Sequence, residues 1–293
     1  MSDLNPAPGY GTAIGLDHIG IVGGDLDALA QAFSALGFHL TPRATHASGR
    51  TANRCVMLRD GGYLELMATV PGRSSATLDR FLARGPGAHI LALEVGDAAT
   101  ALDRLRRAGI AAEVATTERD TDQPAAKARF ALINPPDPPE GRMLLIRHLT
   151  RDLLWRPDTV VHPNHAVALT EAVYATDAPA EPMTRLSRLA GRPAEPDPLG
   201  GYRIPVARGF VRILPRAVAL ALFPGAAGSA PLIGVTIAAE SGNSISQPGT
   251  GQTTTSATAP TQTVPIHSAP GNAVIGRIAH AGGVAIRFIA APV

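Results

Sequence analysis

The apolar run GLDHIGIV at residues 15–22 ends in a polar turn, after which apolar side chains fall at Leu26, Leu29, Ala30, Phe33 and Leu36. That spacing is the one-sided stripe of an amphipathic helix, and Gly37 closes it. Three strand-sized stretches follow, Phe38 to Thr41, Asn53 to Leu58 and Tyr63 to Thr69, parted by turns such as Arg59-Asp60-Gly61-Gly62. The unit reads βαβββ.

The same order returns at residues 86–149 as the strand HILALEV, the helix DAATALDRLRRAG stopped by Gly109, and the strands AAEVAT, ARFALI and MLLIRHL. Such a return argues duplication. Beyond a Pro-rich stretch from Trp155 to Pro163, a third copy runs through HAVALTEAVYAT, the helix PAEPMTRLSRLAG ending at Gly191, and the strands GYRIPVA, GFVRILP and VALALFPG. A fourth opens with APLIGVTIAAE and closes with AGGVAIRFIAAP. Between these, residues 241–263 are rich in Ser, Thr, Gly, Gln and Pro and show no helical period, so a mobile loop is expected in place of the helix.

The pattern predicts an α+β fold of tandem βαβββ modules that pair into two half-barrels, the fourth module degenerate. The expected layout is a flexible N-terminus (1–13), a first domain (14–150) with the active cleft, a linker (151–163) and a degenerate second domain (164–293). A length of 293 residues agrees with two domains.

Composition narrows the function classes. One Cys excludes a disulfide scaffold. Formal charge is only +2, charged residues make up 17%, and the arginines are scattered, with Lys127 the single lysine, so nothing resembles a nucleic-acid footprint. Neither a signal-type leader nor a run of about 18 apolar residues is present, which predicts a soluble, cytoplasmic protein of bacterial type with no membrane partner.

The modules, together with DHIGIVGGDLDALAQAFSALGF, NRCVML and GGYLELMA, resemble the vicinal oxygen chelate superfamily in its glyoxalase-like branch, across nearly the whole chain. There a metal-binding His often stands on the first strand seven residues before the Asp that starts the helix, as His18 stands before Asp25, and the closing YLEL supplies Glu65. The stretch from His46 to Arg54, the segment RHLTRDLLWRP and the HPN turn are similar to the longer members. The resemblance implies one divalent cation, of Fe, Mn, Ni, Co or Zn, with no nucleotide or haem. It also implies a small-molecule substrate, and homodimerisation is compatible with it. The chemistries it covers are isomerisation, epimerisation, ring cleavage and thiol addition.

A hard cation wants imidazole nitrogen and carboxylate oxygen converging from different strands. His18 and Glu65 are of the right types, and Glu65 lies in an apolar run where a lone carboxylate is costly unless paired, ligated or wet. In the second module, aligning Asp97 with Asp25 puts Ile90 rather than His89 at the position of His18, so His89 points away unless a bulge corrects the parity. The module's last strand offers Arg147 or His148 where Glu is needed; only one can face inward, Arg147 suiting an anionic substrate and His148 a metal. Three arrangements stay open: a metal on fewer ligands plus water, a site moved to His148, or no metal.

The third module has Thr170 seven residues before Asp177, and the fourth has Ile286 and Arg287 where Glu is needed, so the second half-barrel is expected to be structural, a lid or a dimer surface. That ranks extradiol ring cleavage low, because those enzymes keep iron in the C-terminal half. His46, Asn53 and Arg54 are candidates for orienting a substrate carboxylate or enolate. Cys55 reads as a buried thiol, His162 and His165 as turn residues, and Arg104, Arg106 and Arg107 as solvated surface. PGTGQTTT lacks the Lys and the strand-to-helix setting of a phosphate loop. The expected function is a lyase or isomerase that works through an enolate, with Glu65 and His18 catalytic. A metal-free binding protein of the same fold is the alternative.

Overall fold

The computed structural model describes residues 11–121, 126–226, 230–241 and 276–291. The first module is β1 (Ala13–Val22), α1 (Leu26–Ala35), β2 (Ala44–Thr45), β3 (Thr51–Met57) and β4 (Tyr63–Thr69). Its helix starts where expected because the Asp25 side chain accepts from the Asp27 and Ala28 backbone N–H groups, and it ends at Gly37, whose φ of 84° suits glycine. Residues 38–41 are not a strand. The short β2 comes later, and Thr41 instead exchanges single bonds with Cys55 of β3.

A helix not foreseen, α2 (Ala76–Leu82), leads into the second module: β5 (Gly87–Val95), α3 (Ala98–Arg107), β6 (Glu113–Asp120), β7 (Lys127–Asn134) and β8 (Arg142–His148). The third module is β9 (Ala166–Thr176), α4 (Ala180–Ala190), β10 (Glu195–Pro196), β11 (Tyr202–Pro205) and β12 (Phe210–Pro215). VALALFPG, expected as a strand, is the helix α5 (Arg216–Leu222), which stands after the third module as α2 stands after the first. A short run of alternating Val, Leu and Ala cannot tell a buried strand from a helix by period alone. The fourth module contributes β13 (Leu232–Ala239), β14 (Ile278–Ala281) and β15 (Val284–Ala290). Residues 242–275, with most of the expected loop and all of PGTGQTTT, lie outside the described residues.

Modules pair as the duplication requires. β1 runs antiparallel to β5 and β9 antiparallel to β13, while β4, β8, β12 and β15 lie parallel to the first strand of their own modules. β13 also touches β5 through Leu232 and Ala88, so one sheet path runs through both halves. The first half is more closed than expected: a bridge between His46 and Arg119 joins its two outer edges.

One apolar cluster, from Ala13 and Leu16 to Ile286 and Phe288, crosses both halves. The second half-barrel therefore packs along the first. Arg104 belongs to this contact, donating to the Gly11 and Arg188 carbonyls, so it is not solvated surface as expected. Residues 11–13, expected to be flexible, are buried. The stretch expected to be a linker is also docked, with the Trp155 indole donating to the Leu58 carbonyl and His162 Nε2 to that of Met57. Among the described residues no helix is long and apolar enough to cross a membrane.

The second half carries a buried charge cluster centred on Glu171. Glu171, only 1% exposed, is paired with Arg212 and with Arg287 Nη2 at 2.6 Å, and Thr236 donates to it. Arg287, found where a Glu was sought, is thus the partner of a Glu on the neighbouring module.

Candidate functional site

A cavity of about 550 Å³ lies inside the first half-barrel. Its lining follows strand alternation: Phe130 and Leu132 from β7, Leu144 and Ile146 from β8, and Ile90 from β5 face it. Ile90 takes the inward position and His89 does not; His89 stacks on Phe81 at 5.0 Å and donates to the Gly85 carbonyl. One end of the cavity is polar, formed by His18, His46, Glu65 and Arg119.

β1 carries a bulge there, since Leu16 faces Leu93 and His18 faces Ala92, with Asp17 left as the extra residue. Neighbours on a regular strand point to opposite faces, and the bulge removes that constraint. Asp17 Oδ1 lies 2.8 Å from His18 Nδ1, and Asp17 Oδ2 lies 2.9 Å from His148 Nε2. Held through its Nδ1–H, His18 presents Nε2 toward Glu65 Oε2 at 3.6 Å. Tyr63 covers the imidazole with ring centroids 4.6 Å apart.

Glu65 stands on β4 opposite Cys55 of β3. Asn53, two residues along and so on the same face, donates through Nδ2 to Glu65 Oε1. His46 Nε2 is 3.3 Å from the same oxygen, and His46 Nδ1 lies 2.8 Å from the Thr51 hydroxyl. Arg119, on β6, places Nη1 3.7 Å from Glu65 Oε1 and 3.4 Å from Cys55 Sγ, with its guanidinium 5.6 Å from the Phe130 ring.

These contacts decide the charges. Burial alone would raise Glu65, but the hydrogen bond from His46 and the charges of His18, His46 and Arg119 hold it well below the usual carboxylate range. Asp17 follows the same logic: burial opposes ionisation, and the charges and hydrogen bonds of His148 and His18 outweigh it. Both are anions in a buried setting. Burial pushes the Cys55 thiol up to about 11, in keeping with an inert thiol.

Of the residues singled out in the sequence, His18, Glu65, His46 and Asn53 come together. Arg54 does not. Its strand neighbours Asn53 and Cys55 face the cavity side, whereas Arg54 lines a separate surface hollow with Asp27 and His39. Arg147 is solvent-exposed on the outer face of β8, and its charge acts on Asp97. His148 takes the inward face but sits beneath the cavity, ringed by Tyr63, Phe130 and Trp155.

The expected ligand trio of His18, Glu65 and His148 therefore does not converge. His148 Nε2 is engaged by Asp17, and a guanidinium stands beside Glu65. Among the described residues, no group of three or more His, Cys, Asp or Glu side chains is placed to hold a metal ion.

Two residues of the polar end escaped sequence reasoning. Asp17 carries the same signal as Glu65, a lone carboxylate in an apolar run. Arg119 lay three residues past the expected end of its strand, and continuing the alternation from Thr117 to Arg119 would have placed it on the inner face.

A family model described as a glyoxalase-like domain matches residues 16–190. A hypothetical protein from Staphylococcus aureus has the same fold, with a TM-score of 0.65 at 12% identity, covering 95% of this chain and 100% of its own. A methylmalonyl-CoA epimerase from Mycobacterium tuberculosis aligns with a TM-score of 0.37 and 24% identity, covering 48% of this chain and 92% of its own. No curated protein matches the chain.

Proposed function

Because the chain belongs to the glyoxalase-like domain family, we propose that it is an enzyme of the lyase or isomerase type that moves a proton on a small oxygenated metabolite in the first-half cavity. The carrying observation is the 2.8 Å contact between His18 Nδ1 and Asp17, which leaves Nε2 as the proton acceptor aimed at the polar end. His18 Nε2 takes the proton from a carbon next to a carbonyl, the electron pair moves onto the carbonyl oxygen, and the proton returns to the same or the adjacent carbon. Asp17 stabilises the imidazolium formed meanwhile, as a buried carboxylate does in hydrolytic triads. Glu65, held well below the usual carboxylate range, is too weak a base for this step and instead fixes His46 and Arg119 around the reacting centre. No step is routed through a metal, since the donor set does not fit one.

The test is deuterium exchange in heavy water over a panel of 2-oxo acids, 2-hydroxyketones and 1,3-dicarbonyls, followed by NMR. Exchange into one class, lowered about 100-fold or more in His18→Ala, supports the reading; exchange that survives in His18→Ala refutes it. The apolar part of the cavity favours a second reading, sequestration of a hydrophobic compound without turnover. Tight binding with no exchange in any class would select it. A cytoplasmic setting goes with either reading.

A further inference from the structure

The superfamily pattern asks for a divalent cation on Glu65, and the structure puts a guanidinium beside that carboxylate. Arg119 is 6% exposed and lines the cavity. It is fixed from three directions, by Glu65 at 3.7 Å, by the Cys55 sulfur at 3.4 Å and by the Phe130 ring. Its backbone closes the barrel against His46, so it cannot swing aside with a loose loop. An arginine stays charged even when buried. A cation ligated by Glu65 would stand within a few ångström of that fixed charge and be repelled by it.

The rest of the wall points to the ligand. Strand register orders the floor from Arg119, which pairs with Ala128, to Phe130 one inward step along, then to Leu132 opposite Ile146, then to Leu144 and last to Arg142. A fixed cation therefore heads an apolar trough. The lining carries Arg50, Arg119 and Arg142 against Glu65 and Glu118, and Glu118 is turned to Arg129 and Lys127, so the cavity favours an anion.

We propose that Arg119 takes the place of the metal and that the cavity binds a carboxylic acid with an apolar body, the carboxylate on the guanidinium fork and the hydrocarbon along Phe130, Leu132, Ile146 and Leu144. The identity of the bound class is independent of turnover; only its role as substrate rests on the proton-transfer reading above. A planar fork grips two carboxylate oxygens at once, which a lysine cannot reproduce.

The experiment is calorimetric titration of the full-length protein with straight-chain carboxylates from acetate to octanoate, with octanol as the uncharged control. Metal content is measured in parallel after loading with Mn, Fe, Co, Ni and Zn. We expect one site per chain, affinity rising about fourfold per methylene, octanoate preferred over octanol, and no stoichiometric cation. Arg119→Gln should bring octanoate down to the level of octanol. Arg119→Lys, which keeps the charge should the Gln variant fail to fold, should weaken octanoate by about tenfold. Arg147→Gln, on the outer face of β8, should leave binding within about threefold. One cation per chain lost in Glu65→Gln, octanoate binding indifferent to Arg119 or dependent on Arg147, or no binding at all would each overturn the proposal. Octanoate binding that depends on Arg119 without deuterium exchange would sink only the catalytic reading.

Discussion

His148 reaches from β8 to place its Nε2 2.9 Å from Asp17 Oδ2 on β1, and the other oxygen of the same carboxylate holds His18. One buried anion thus serves two imidazoles from two modules, and the duplication is what brings them together.

Replacing Asp17 by Asn removes the charge and gives His18 Nδ1 a partner of either polarity. Loss of a buried anion between two imidazoles should cost about 3 kcal/mol of stability, read from urea denaturation. If His18 is the proton acceptor, exchange of its substrate should also fall about 100-fold or more. Unchanged exchange in a folded Asp17→Asn protein would show that the pairing is only structural.

The acid limb of stability follows from the same groups. The folded Asp17 and Glu65 carboxyls lie below their unfolded values, so their contribution is complete above an unfolded pKa of about 4 and is lost as pH falls below it toward the folded values. Each adds a slope of up to about 1.4 kcal/mol per pH unit in that window. Between about pH 5 and pH 3 the parent should therefore lose stability more steeply than Glu65→Gln, measured as the urea midpoint against pH; parallel curves would contradict the charge assignment.

Cys55, with its thiol pushed up to about 11 and its side chain 1% exposed, should not react with a thiol reagent at pH 8 until the protein unfolds. Labelling followed across a urea titration should track the unfolding transition. Labelling of the folded protein would place the thiol in an open conformation not described by this fold.

Glu94 of β5 meets Arg151 at 3.2 Å and is paired with Arg208 of the second half, all at a contact where Arg208 also donates to the Asp60 carbonyl. Glu94→Gln leaves two arginines short of their anion and should lower stability by about 2 kcal/mol. Calorimetry should still show one transition, because the apolar cluster spans both halves; two separated transitions would mean the halves unfold on their own.

Local pattern alone carried the order of the modules, apart from residues 38–41 and VALALFPG, and the helices that end at Gly37, Gly109 and Gly191; it also marked Glu65, while His18 and its place beside Glu65 came from the resemblance to the glyoxalase-like family. The local features depend on periodicity, capping and a carboxylate misplaced in an apolar run, all readable within a few neighbours. Position across strands was decided elsewhere. Whether Arg147 or His148 turned inward depended on the pairing of β8 with β7, and Asp17 joined His18 only because a bulge broke the alternation of β1. Arg119 reached Glu65 because the second module folds back until its outer edge meets His46 of the first. Such meetings join residues far apart in the chain, and they follow from barrel closure, which no local period encodes.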